Sequence, residues 1–357
     1  MQDEQRTRWF TLLRVRALLF EKSHNVARRK LRAMLFINIM NPTRSLKPFH
    51  TLEEQADKIL SRKCKGDRSF IIEKLRYVNY YRLAGYLYPF RKRRTIDGFV
   101  EEDFEEGTSF EHVWDLYRFD RRMRLLLLDA IERIEIGLRT CIAYRWAESC
   151  ARKGISNPQG KSNYYRNPNI LRKLLGKVQD QYTASKDRCA LHYKGDAWKI
   201  SKVEYLPVWV FVEFTTFANL KTLCGDCLKP RIAQLIAQDF GFSDTQKLCA
   251  MLNLLREVRN TCAHHGMVWN KPWEKEKTRT PLAPDLPGYL SGEVPADFKK
   301  RLAYVLYCCD FLLKTIIPNS AWQSRVVDLL EEIPLPEHML NRMGITKRFK
   351  GILTGTR

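Results

Sequence analysis

No uninterrupted apolar run in the 357 residues reaches the ~20 positions that a helix needs to cross a bilayer. The N-terminus lacks the apolar core and small-residue cleavage site of a secretory signal. No low-complexity tract interrupts the chain, and at 45% hydrophobic residues it has enough apolar material for a real core. A cytoplasmic protein with no membrane partner is the expectation. Acidic residues are scarce beside basic ones, 40 Asp and Glu against 62 Lys and Arg, which leaves a formal net charge of +22. That imbalance argues for a polyanionic partner, most simply nucleic acid, although a ribosome- or membrane-surface protein would share it.

Metal-binding patterns are thin as well. Ten Cys are scattered along the chain. Cys224-Gly225-Asp226-Cys227 has redox or zinc spacing, but no second pair stands at finger spacing, so the cysteines read as reduced and half-buried. Nothing supplies a carboxylate cage for magnesium, so neither a metal nor a cofactor is expected.

What is present is helical. Thr51 to Cys64 reads as a helix, with Thr51 as N-cap, Glu54 completing a capping box, and Leu52, Ala56, Ile59 and Leu60 as its apolar stripe. Ser69 to Phe90 forms a second compact element, and Arg91 to Gly107 a hairpin or loop. From Ser109 to Trp146 only Gly137 weakens a long helix. Pro207 opens a helix through Leu223 and Pro230 another through Phe240. The motif helix runs from Thr245 to Val258. Helices at Ala296–Ile316 and Ala321–Leu330 follow a Pro-rich loop. With no central sheet in the pattern, an all-α helical bundle is expected. Its divisions are a basic extension over 1–45, a helical subdomain over 46–108, the bundle over 109–318, and a C-terminal helix with a basic tail over 319–357. Met40-Asn41-Pro42-Thr43 also reads as a natural start. Whether the extension is a mis-assigned start or a basic amphipathic helix touching RNA or membrane is left open.

The chemistry concentrates in Arg259-Asn260-Thr261-Cys262-Ala263-His264-His265. Asn260 and His264, four apart, share one helix face, with Arg256 a turn upstream on the same stripe. Arg259 lies about 100° around from Asn260, so it meets His264 only where the helix ends or bends; Gly266 supplies the stop. A guanidinium beside a neutral-pH acid/base suits RNA cleavage: His moves the 2′-OH proton, and Arg stabilises charge growing on the phosphate. His264 is the candidate chemical histidine; His265 packs, orients it, or acts itself. Asn260 bonds phosphate or holds its neighbours. Asp120 and Arg121 read as structural polar contacts first. Arg91-Lys92-Arg93-Arg94 is the best local basic patch for phosphates, and Tyr80, Tyr81 and Tyr86 lie close enough in sequence to stack on bases. The polar loop from Asn157 to Asn169 faces RNA or simply connects helices.

This heptapeptide, followed by Trp269-Asn270, resembles the signature of Abi-like abortive-infection proteins of the HEPN superfamily. The resemblance runs in order from about Leu46 to Cys309. Asn79-Tyr80-Tyr81-Arg82-Leu83-Ala84-Gly85-Tyr86 resembles the family's N-terminal block. Tyr117-Arg118-Phe119-Asp120-Arg121-Arg122 with Ile134-Glu135 resembles its long first helix, and Leu206-Pro207-Val208-Trp209 with Glu213 its middle helix. The resemblance implies a HEPN-type bundle and a metal-independent endoribonuclease with Arg259, Asn260 and His264 as site residues. It further implies a polar role for Glu213 near the site, such as orienting Arg259. Because relatives face two such motifs across a cleft, it implies a homodimer acting on RNA. A non-catalytic scaffold holding a small structured RNA is the alternative.

Overall fold

The computed structural model describes residues 48–92, 95–96, 99–100, 102–154, 165–273, 298–333 and 335–354. The basic extension, Arg93, Arg94, most of the Asn157–Asn169 loop and the Pro-rich segment after Trp273 lie outside the described residues. By internal contact the chain forms two compact units, Met1–Gln55 and Ala56–Arg357.

Fourteen α-helices among the described residues make the chain an all-α bundle, as its periodicity predicts. The first three are α1 (Leu52–Ser61), α2 (Arg68–Tyr77) and α3 (Tyr80–Leu87). The capping box of α1 forms as expected: Glu54 N–H donates to Thr51 Oγ1 at 3.2 Å, and Thr51 N–H donates to the Glu54 carboxylate at 2.8 Å. Ser69–Phe90 is two helices and a 3-10 turn rather than one element, because Asn79 interrupts it by capping the Tyr81 N–H. The hairpin expected between Arg91 and Gly107 is present as two dipeptide strands, β1 (Thr95–Ile96) and β2 (Phe99–Val100), paired antiparallel.

The axis of the bundle is α4 (Phe110–Ala151), capped by Ser109 and about 63 Å long for its 42 residues. Phe110, Phe119, Leu127, Ile134, Leu138 and Trp146 are among the side chains it buries completely. Gly137 is explained by packing, since a Cβ there would lie 3.1 Å from Ile316 Cδ1. Around α4 stand α3, α7 (Val208–Phe211), α9 (Pro230–Asp239), α10 (Thr245–Ala263), α11 (Leu302–Ile316) and α12 (Trp322–Glu332). Between them run α5 (Pro168–Ala184), α6 (Arg188–Lys194) and α8 (Phe217–Thr222), and α13 (Glu337–Arg342) and α14 (Lys347–Thr354) end the chain. Leu302 to Asp310 of α11 are buried on every side, as its continuous apolar sequence requires.

Two expectations change. The helix from Pro207 to Leu223 is broken into α7, a 3-10 turn at Val212–Phe214, α8 and a π-turn at Leu223–Cys227. Its Val, Phe and Thr residues hold a helix weakly. Arg139 takes the carbonyls of Val212 and Thr215, at 3.3 and 2.9 Å, that a continuous helix would use. The motif helix, by contrast, runs on through the motif to Ala263 and ends at His264, where an end or bend was expected. The segment from 319 onward holds three helices, not one.

Candidate active site

Helix α10 is set at both ends. Asp244 caps its start by accepting the Lys247 N–H at 2.8 Å. Its end is a Schellman turn. Gly266 N–H donates to the Thr261 carbonyl at 2.7 Å, and His265 N–H to the Cys262 carbonyl at 3.0 Å. The left-handed residue of that turn is His265, at φ +57°, not the expected Gly266. Gly266 is needed for space instead, since a Cβ would lie 2.9 Å from Thr261 Cγ2 and 3.1 Å from its carbonyl oxygen.

On the helix that ends here, Leu254, Leu255, Val258 and Cys262 are buried, while Arg256, Arg259, Asn260, Ala263 and His264 are exposed. At 100° per residue those five span about 140° of one face. The helix ends at His264 (φ −92°, ψ 17°), which lies about 140° around the axis from Arg259, at the far edge of this face. Among the described residues Arg259 meets no carboxylate; its Nη1 donates to Asn260 Oδ1 at 3.4 Å, a long bond. Glu257 is occupied by Lys271 at 3.1 Å, whose Nζ also donates to Thr261 Oγ1 at 2.7 Å.

Behind this face lies a buried polar cluster that fixes the turn. Asp120, 0% exposed, accepts the N–H groups of Val268 and Trp269 on Oδ1 at 2.9 and 2.8 Å, and Tyr86 Oη and Arg124 on Oδ2. Burial drives the Asp120 carboxyl above its ordinary range, and the Tyr86, Arg124 and backbone donors pull it back. Arg124 Nη1 also reaches the Gly266 carbonyl at 3.4 Å, and Arg82 Nη1 donates to the His265 carbonyl at 2.7 Å. The two carbonyls so held belong to the turn that ends the motif helix, and the two N–H groups to the stretch that follows it at Val268 and Trp269.

A family model described as Abi-like protein matches residues 73–270, more than half of the chain. The protein belongs to the Abi-like family. The match begins within α2, takes in Arg82, Tyr86, Asp120 and Arg124, and ends at Asn270, directly after the turn they hold. No curated protein and no solved structure matches the chain.

Other candidate residues of this Abi-like chain sit as follows. Arg121 is exposed on the α4 face shared by Tyr117 and Arg124. Glu213 is exposed on the 3-10 turn after α7, near enough to Cys189 to add to the rise that partial burial causes in that thiol's pKa, and no bond or ion pair joins it to Arg259 among the described residues. Arg91 is half-buried beside Phe104, with its Nε unpartnered, and Lys92 is half-buried near Asp103, whose carboxyl is lowered first by its bond from Lys63 and in smaller part by Lys92; Arg93 and Arg94 of the same run lie outside the described residues. Tyr86 is committed to Asp120, leaving Tyr81 as the exposed ring of its block and Tyr80 half-buried against it. Cys262, inside the motif, is 2% exposed, and burial pushes its thiol up to about 12, so it packs rather than reacts. Cys224 and Cys227 are buried in the π-turn, and burial pushes Cys227 up to about 12. Among the described residues no three His, Cys, Asp or Glu side chains converge as metal ligands, and no helix is long and apolar enough to cross a membrane.

Arg82, Arg124 and Lys271 escaped the sequence reading. Arg124 had a signal: it stands four residues after Asp120 on an otherwise apolar stripe, the spacing of a helical ion pair.

Proposed function

We propose that this protein, whose Abi-like family suggests a role in abortive infection, is a metal-independent endoribonuclease of the HEPN superfamily. The observation that carries the reading is the joint exposure of Arg259, Asn260 and His264 at a helix end whose following backbone is held by the Arg82 guanidinium and by the buried Asp120 carboxylate. His264 takes the proton of a ribose 2′-OH, whose oxygen attacks the adjacent phosphorus. Arg259 stabilises the negative charge that builds on the phosphoryl oxygens, and Asn260 donates to the same phosphate or holds Arg259. The leaving 5′-oxygen is protonated, by His264 or by the second copy of the motif. The products are a 2′,3′-cyclic phosphate and a 5′-OH. His265 serves the turn through its backbone, and Arg256 adds positive charge one turn upstream. The resemblance implies a homodimer that brings two motifs to one cleft, and their exposure leaves them open to such pairing.

One observation favours binding without cleavage. Among the described residues no hydrogen bond reaches the His264 side chain to orient its imidazole. In that reading the basic protein holds a structured RNA. Incubating purified protein with labelled RNAs in EDTA, beside Arg259→Ala and His264→Ala, decides between the two. Cutting by wild type alone supports the nuclease. Tight binding of one defined RNA with no cutting, in extracts of phage-infected cells as well, supports the scaffold.

A further inference from the structure

One face of α3 runs along the chain that leaves the motif. Arg82, Gly85 and Tyr86, at three- and four-residue spacing, share that face. Arg82 Nη1 donates to the His265 carbonyl at 2.7 Å, and a Cβ on Gly85 would fall 2.7 Å from Met267 Cε. Tyr86 Oη donates to the Asp120 carboxylate, which also holds the Val268 and Trp269 N–H groups. This docking leaves the Arg82 guanidinium beside the motif with most of its donors unused. A guanidinium has five N–H donors, and among the described residues the His265 carbonyl is the one group that Arg82 bonds. The side chain is exposed and meets no carboxylate among those residues. We infer that Arg82 is an RNA-binding residue of the motif site, holding the phosphate next to the one at which Arg259 and His264 act.

Three features support that role. The first is charge. Arg124 of α4 is neutralised by Asp120, whereas Arg82 bonds a neutral carbonyl. The end of α10 carries roughly half a unit of negative charge, which offsets only part of a full positive one. Arg256 and Arg259 of α10 form no ion pair among the described residues either, so the uncancelled side-chain charge of this region is cationic and draws a polyanion. The second is reach. His265 directly follows His264, and backbone dimensions put Arg82 Nη1 within roughly 9 Å of the His264 Cα. Neighbouring phosphates of one strand are separated by a comparable step. The third is preorganisation. The bond to His265 already restrains the guanidinium, so gripping a phosphate costs little further side-chain freedom. Support of the turn does not by itself call for open donors: Arg124 reaches the next carbonyl, that of Gly266, while paired with Asp120 and buried.

The inference rests on the RNA reading for the identity of its ligand, and binding of an uncleavable strand tests it apart from cleavage. The probe is a fluorescent single-stranded RNA with 2′-O-methyl ribose at every position, titrated by anisotropy across a salt series. Arg82→Gln removes the charge and keeps an amide N–H for the turn, Arg82→Lys keeps the charge, and Arg231→Gln is a control at an exposed position of α9. Arg82→Gln should bind several-fold more weakly, with a log–log salt slope lower by about 0.7, the loss of one phosphate contact. Arg82→Lys and the control should keep the wild-type slope. Wild-type affinity and slope in Arg82→Gln, or an equal loss in the control, overturns the inference and leaves Arg82 a support of the turn alone, even where the variant melts lower. Should Arg82→Gln fold poorly, modification of wild type with phenylglyoxal, read by peptide mass spectrometry, gives the answer. Arg82 should be modified in the free protein and protected by the bound strand. Modification that the strand leaves unchanged, or none in the free protein, overturns the inference. Wild type that binds no strand defeats the RNA reading, and the inference with it. A protein that binds through Arg82 yet cuts no RNA defeats the nuclease reading and leaves the inference standing.

Discussion

Arg82 and His265, 183 positions apart, are joined by a 2.7 Å hydrogen bond from a guanidinium to a backbone carbonyl. The bond holds the left-handed residue that ends the motif helix. It links a block near the start of the family match to the turn at its end. The buried Asp120 cluster does the same from α4, and together they fix the backbone on which His264 stands.

Removing the centre of that cluster should therefore cost stability as well as activity. Asp120→Ala leaves Arg124 buried without its carboxylate and two N–H groups without an acceptor. Breaking a buried pair in this way costs about 3–5 kcal/mol. Arg121→Ala, at the exposed neighbouring position, should change stability by less than about 0.5 kcal/mol. Denaturant midpoints of the two variants check this, and similar values for both would refute a buried anchor at Asp120.

The motif residues should behave in the opposite way. Arg259→Ala and His264→Ala remove exposed side chains, so melting should stay close to wild type while RNA cleavage in EDTA falls by about 10² or more. An unchanged rate in both variants would remove the site assignment.

His265 offers a separation of backbone from side chain. A non-glycine residue at φ +57° is strained by roughly 1–2 kcal/mol, and glycine avoids most of this at the expense of chain entropy. His265→Gly should keep or slightly raise stability and, because the carbonyl bonded by Arg82 remains, keep activity. Gly266→Ala should destabilise by about 1–3 kcal/mol through its contact with Thr261. A large loss of activity in well-folded His265→Gly would show that its imidazole takes part.

Much of the fold was legible because it is local. The capping box of Thr51 and Glu54 was set by neighbours in sequence and formed as read, and the long helix begins at Ser109, where its start was expected. The motif residues were legible by spacing, and their common exposure follows from the helical period. The break at Thr215 was not, because its cause is Arg139 on another helix. Nor was the left-handed residue: glycine favours that conformation, but crowding against Thr261 placed Gly266 one position later. The bond from Asp120 to Trp269 spans 149 positions and leaves no periodic trace in either segment.

Cysteine chemistry should follow burial. Cys189 is exposed, while Cys224, Cys308 and Cys309 are fully enclosed and Cys262 is pushed up to about 12. Native protein alkylated at pH 8 should carry label first at Cys189, with Cys262 protected until unfolding, as read by peptide mass spectrometry. Early labelling of Cys262 would mean that the α10 core opens readily and would undo the fixed-backbone account of the site.

The last prediction concerns acid. Asp239, at the end of α9, accepts both ends of the Arg145 guanidinium at 2.6 and 2.7 Å, which holds its carboxyl below the usual carboxylate range. A folded pKa below the unfolded one means the folded state binds the proton less readily. The stabilisation is therefore complete above the unfolded value of about 3.9 and is lost as pH falls through the lowered folded value. Asp239→Asn removes the charge at every pH, so it should be less stable than wild type at pH 7 by about 1 kcal/mol, allowing for partial solvent screening. The difference should narrow at pH 3 and below, where the wild-type carboxyl is itself taking up a proton. Denaturant unfolding of both proteins across that range is the measurement. A gap that stays constant from pH 7 to pH 2 would show that the charged pair between α4 and α9 contributes nothing through its charge.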